Sequence, residues 1–79
     1  MFTSDKILYQ TIGKNVKQHR EEKGLTQAQL SELTSLSISY ISKIEADKCH
    51  KSFSISALNQ IANALNTEIT AFFREDPQI

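Results

Sequence analysis

The chain has one cysteine, Cys49, so no intrachain disulfide can staple it, and a reducing cytoplasm is its expected setting. One cysteine and two histidines, His19 and His50, fall short of the four ligands a structural zinc needs, so no metal is expected. In a basic loop Cys49 would be open to oxidation, but nothing else in the sequence supports a redox role. Apolar residues make up 39% of the chain yet never form the run of roughly 18 that a membrane span requires. No signal-peptide pattern opens the chain. No glycine-rich loop or nucleophile elbow frames its Ser, His and Asp residues, so neither catalysis nor a cofactor is expected. Internal repeats, low-complexity stretches and alternating strand patterns are missing as well.

Charge of one sign is also absent. Nine Lys and Arg balance nine Asp and Glu. Residues 1–51 hold eight basic against six acidic groups, and residues 52–79 hold one against three, so +2 faces −2. That polarity is mild, and it identifies no partner. Seventy-nine residues make one domain, 1–79, with one small core and no second domain for an effector, so no small-molecule ligand is expected.

What is present is helical. Ser4 or Thr3 can cap a first helix running to about Lys23, on which Leu8, Ile12, Val16 and Arg20 mark one face every fourth residue. Gly24 ends it. Thr26 caps a second, short helix with Leu30 and Leu33, and after a break at Thr34-Ser35-Leu36 Ser37 caps a third. The polar stretch from Ala46 to Phe53 reads as a loop. Ser54 caps a fourth helix with Ile55, Leu58, Ile61, Ala62 and Leu65 at core spacing; Asn66 stops it, and Ile69, Phe72 and Phe73 lie on a short fifth helix.

The middle of the chain is the informative part. Two helices of about eight residues joined by a tight turn must cross steeply, which lets the second project from the domain. At 100° per residue, Ser37, Ile41, Ile44 and Lys48 cluster on one side of that second helix; Ser39, Ser42, Lys43 and Ala46 lie opposite. Ile38 and Tyr40 fall on the flanks. The outward stripe is small and hydrogen-bonding, with one long cation, which suits approach to base edges in a major groove about 12 Å wide. Ile38 could lie against a thymine methyl. A solvated, serine-rich surface would read the same way in this segment alone.

Further stretches narrow the choice: Ile12-Gly13-Lys14-Asn15-Val16-Lys17-Gln18-His19-Arg20, Gly24-Leu25-Thr26-Gln27 with Leu30, Leu36-Ser37, Tyr40-Ile41-Ser42-Lys43-Ile44-Glu45 and Ile61-Ala62-Asn63-Ala64-Leu65. With these, residues 12–73 resemble the Cro/CI (XRE-type) helix-turn-helix family, which includes phage repressors and restriction–modification controllers. The resemblance implies an all-α, lambda-repressor-like bundle of about five helices. Its helix-turn-helix would cover about 26–46, with a recognition helix at about 37–46. It implies base reading by Ile38, Ser39 and Lys43, to which the outward stripe adds Ser42. Phosphate contacts are expected from Gln27, Ser37 and Tyr40, and on electrostatic grounds from Lys48, His50 and Lys51. Arg20 and Glu45 match a structural salt bridge. Two family glycines are replaced, by Ser35 in the turn and Asp47 after the recognition helix. The following loop is about two residues longer than usual and lacks the usual proline.

The expected function is a bacterial or phage-encoded, nucleoid-associated transcriptional regulator that binds a short palindromic operator and competes with or touches RNA polymerase. A lone, weakly charged domain contacts too little DNA, so a homodimer is expected, with Ile69, Phe72 and Phe73 as its interface. One of the two phenylalanines is expected in the core. Zero net charge keeps a second reading open, a helix-turn-helix-derived module that binds a protein, as an antitoxin or anti-repressor partner would.

Overall fold

Among the described residues, every α-helix begins at a hydroxyl residue. In a computed structural model that describes residues 2, 4–46 and 53–75, the chain forms α1 (Asp5–Glu22), α2 (Gln27–Thr34), α3 (Ile38–Glu45) and α4 (Ile55–Ala64). Ser4, Thr26, Ser37 and Ser54 are their N-caps, each side-chain oxygen accepting a backbone N–H of the first turn. Such a cap contributes about 1 kcal/mol. At Thr26 the bond is returned, because the Gln29 side chain accepts the Thr26 N–H at 2.8 Å.

The helix ends follow the same local logic. Gly24 takes φ 72° after α1 and Asn66 takes φ 55° after α4, the left-handed conformation that lets the chain turn back. Leu25 N–H then reaches the Arg20 carbonyl at 3.1 Å, and Thr67 N–H the Ala62 carbonyl at 2.9 Å.

Ile12, Val16, Leu30, Ile41, Ile44, Leu58, Ile61, Ala62, Leu65 and Phe72 form one core. α1 packs on α3 and on the C-terminal segment, while α2 packs on α3 and α4. No strand occurs among the described residues, and no helix there is long and apolar enough to cross a membrane.

The all-α expectation holds, and the structure sharpens it at four places. The fifth helix is a 3₁₀ helix, Ile69–Phe73, too short for the α-helical ladder to be favoured. Leu33 is 59% exposed, since the inward face of α2 runs from Leu30 to Thr34, one turn on, and leaves Leu33 to the side. Ile55 is 70% exposed; at the first position of α4 its side chain tilts outward past the helix start, and Ala57 packs inward instead. Of the three residues expected at a dimer interface, Phe72 is instead the core phenylalanine, wholly buried and meeting the His19 ring edge-on at 5.7 Å. Ile69 and Phe73 are half-buried.

Two residues of α1 set where its neighbours sit. Asn15 is buried and its amide nitrogen donates to the carbonyls of Phe72, at 2.8 Å, and Arg74, at 2.7 Å. This ties the C-terminal segment to α1 and satisfies carbonyls that a 3₁₀ end leaves open. Gly13 is where α1 crosses α3: a Cβ there would run into the Ile44 backbone carbonyl. A mid-helix glycine costs about 1 kcal/mol against alanine, a cost that this close crossing accounts for. Gly13→Ala is therefore expected to lower stability by about 1–3 kcal/mol, against the usual gain. A urea midpoint equal to or above the parent's would show that the crossing does not need glycine.

Candidate nucleic-acid interface

The turn between α2 and α3 is built by side chains. Ser35 occupies the left-handed region at φ 65°, where glycine is favoured, so its conformation costs about 1–2 kcal/mol. Neighbouring hydroxyls hold it. Thr34 Oγ1 donates to the Leu30 carbonyl at 2.8 Å and accepts the Leu36 N–H at 3.2 Å. Ser31 Oγ donates to the Leu36 carbonyl. Ser37 then starts α3 by accepting the Tyr40 N–H at 3.0 Å.

α3 has two sharply different sides. Ile41, Ile44 and Glu45 are buried, whereas Ser39, Ser42, Lys43 and Ala46 are exposed and Ile38 is 49% exposed. The four expected base-reading residues are thus all accessible, Ser39, Ser42 and Lys43 on the helix side away from the core and Ile38 on its flank. Tyr40 is half-buried on the flank, and its hydroxyl accepts the Ser54 N–H at the start of α4, at 3.3 Å. Beside it, Tyr9 of α1 meets Phe53 edge-on at 5.2 Å, so both elements fasten the chain as it enters α4. Lys48, His50 and Lys51, the electrostatic candidates for phosphate contact, lie outside the described residues.

The rear of α3 is held by an ion pair. Arg20 Nε donates to Glu45 Oε2 at 2.8 Å and Nη2 to Oε1 at 3.0 Å, with only 9% and 3% of the two side chains exposed. Arg20 Nη1 also donates to the Leu25 carbonyl at 2.6 Å. The hydrogen bonds that Arg20 donates to Glu45 raise the guanidinium pKa above its ordinary value, against the opposing effect of burial. The expected Arg20–Glu45 pairing is therefore present, as a bidentate fork. It gains a member that spacing did not reveal: Gln27 Nε2 donates to Glu45 Oε1 at 3.0 Å. Asn15 and Gly13 were likewise in plain view without assigned roles; only the glycine carried a signal, being unexpected inside a helix.

Two short helices joined by a hydroxyl-locked turn, the second showing a polar face and anchored from behind, define a helix-turn-helix of the DNA-binding class. The chain belongs to the helix-turn-helix family HTH_3, which its residues 16–72 match. Members of that family are DNA-binding regulators and not enzymes. Over 69 residues the chain is 39% identical to the immunity repressor protein of Bacillus phage phi105, covering 87% of this chain and 46% of that protein. The chain therefore spans about half the length of that relative. Among solved structures it is similar to the restriction-modification controller protein C.AhdI from Aeromonas hydrophila. That match has a TM-score of 0.75 at 28% identity, over 82% of this chain and 96% of the other. An HTH_3 family transcriptional regulator from Vibrio cholerae matches with a TM-score of 0.79 at 28% identity, over 89% of this chain and 38% of the other.

Removing one partner of the buried pair strands the other charge, so Glu45→Ala is expected to cost about 3–5 kcal/mol. The double change Arg20→Met with Glu45→Leu leaves no orphan charge and should recover most of that loss. Urea denaturation of the three chains checks this. A double variant no more stable than Glu45→Ala would show that packing, not charge, sets the cost.

Proposed function

We propose that the chain acts as a sequence-specific transcriptional regulator, binding a short palindromic operator as a homodimer with α3 in the major groove. The observation that supports this most is the outward face of α3. Its accessible residues are Ile38, Ser39, Ser42 and Lys43. Serine can donate or accept at a base edge, lysine can reach the O6 and N7 of guanine, and isoleucine suits a thymine methyl. Gln27 at the start of α2, with Ser37 and Tyr40 beside α3, would grip phosphates and so fix register without carrying sequence information. Lys48, His50 and Lys51 would add charge-based contacts. The site of action would be the nucleoid of a bacterial cytoplasm, for a chain of bacterial or phage origin.

Dimerisation follows from the charge balance. With zero net charge, long-range attraction to DNA is small, and two half-sites one helical turn apart double the specific contacts. Ile69 and Phe73 are the interface residues retained in this reading. Repression or activation would follow from where the operator lies relative to the polymerase site.

Lys43→Ala is expected to weaken binding to a selected operator by about 1–3 kcal/mol and to relax preference at one base position. Gln27→Ala should weaken binding to all sequences alike. Gel shifts at stated salt, on operators drawn from random-site selection, measure both. Parent-like binding by the Lys43 variant on every operator would remove it from base reading. Absence of any selected site, or affinity indifferent to salt, would favour the protein-binding alternative. Phe73→Asp should shift the sedimenting species from dimer to monomer and weaken operator binding with it. A parent that sediments as a monomer at concentrations where it binds its operator tightly would remove the dimer from the reading.

A further inference from the structure

We infer that Glu45 is a positioning residue for the phosphate grip at α2, in addition to its pairing with Arg20. This rests on the DNA-binding reading above and goes beyond it by naming what orients the gripping side chain. Glu45 Oε1 accepts from two residues at once, Arg20 Nη2 and Gln27 Nε2, both at 3.0 Å. The carboxylate is 3% exposed and itself held by Arg20 Nε at 2.8 Å, so it is a fixed acceptor. Gln27, by contrast, is half-buried at the first position of α2.

An amide can present either its oxygen or its nitrogen to a neighbour. Facing a buried carboxylate, only the nitrogen is compatible, because two oxygen acceptors would repel. Glu45 therefore selects one of the two orientations of Gln27. One N–H is committed inward and the second N–H is left to donate. The backbone N–H of Gln27 has no carbonyl behind it, being in the first turn of the helix. A phosphodiester oxygen arriving at this end meets donors already oriented, with little rotamer freedom left to lose. Because Glu45 is also the last residue of α3, the grip on the backbone and the seat of the recognition helix share one acceptor.

The test uses the full chain and a selected operator carrying single neutral methylphosphonate linkages, moved one at a time along the backbone. In the parent, one linkage should lower affinity about tenfold, the worth of a hydrogen bond to a charged group; Gln27→Ala, which keeps only the backbone N–H, should lose most of the sensitivity to that linkage. Glu45→Gln, which keeps the side-chain shape but lets either amide group face Gln27, should lose most of the sensitivity. A folded Glu45→Gln chain that keeps the full tenfold effect would overturn the proposal. Tighter binding by that variant would do so too, since it would mean that Glu45 holds Gln27 away from DNA. Should Glu45→Gln not fold, the parent alone decides by nuclear magnetic resonance. Its Gln27 side-chain amide should relax as a rigid group, as slowly reorienting as the helix backbone, both before and after operator is added. An averaged, mobile amide, or one that leaves Glu45 on binding, would overturn the assignment. If no operator is selected at all, the DNA reading fails, and the free-state amide measurement still judges the Glu45–Gln27 bond.

Discussion

The structure turns on a single buried carboxylate. Glu45 receives three hydrogen bonds from two helices, two from Arg20 of α1 and one from Gln27 of α2, while its own backbone ends α3. A desolvated charge has no neutral place to rest, so the three helices must meet where it is neutralised. Arg20 extends the link to the Leu25 carbonyl, the first residue past the α1 turn, which fixes where α2 can begin. Packing alone would hold these helices together with some freedom to slide. The forked guanidinium–carboxylate geometry allows one arrangement.

Close packing completes what the charge begins. Without a side chain at Gly13, α1 can lie directly on the α3 backbone at Ile44, one residue before Glu45. On the other side of α1, Asn15 takes up the carbonyls of Phe72 and Arg74, so Phe72 can be driven fully into the core beneath His19. Ile41 and Ile44 fill the space that α1, α2 and α4 leave. With its rear held by apolar burial and its end by an ion pair, α3 can spare its outward side for small polar residues. The strained turn at Ser35 fits the same scheme, since the hydroxyls of Ser31 and Thr34 hold a conformation that glycine would otherwise supply.

For a neutral chain, DNA binding of the kind proposed cannot come from bulk attraction. It would have to come from a few donors placed well, and the proposed ones lie on the elements that Glu45 unites: the face of α3 and the first residue of α2. That is a reason for rigidity at this corner of the molecule. A basic protein could tolerate looser placement, because screened long-range attraction does not depend on side-chain orientation.

Much of the architecture was legible from the residues. The four hydroxyl caps, the stops at Gly24 and Asn66, the inward pair Ile41 and Ile44, and the exposed stripe of Ser39, Ser42 and Lys43 all follow from interactions within about one helical turn. Resemblance supplied the pairing of Arg20 with Glu45, 25 residues apart. The tertiary structure decided the rest: that Leu30 and not Leu33 enters the core, that Phe72 and not Phe73 is wholly buried, and that Ile55 stays outside. It also joined Gln27 to Glu45 across 18 residues and Asn15 to Phe72 across 57. Periodicity assigns a residue to a side of its helix, but what stands opposite that side is set by the crossing of other helices. A polar side chain's partner is a matter of which groups burial leaves within reach. The polar face of α3 was written in the sequence; the carboxylate that anchors it to the end of α2 exists only once the helices have met.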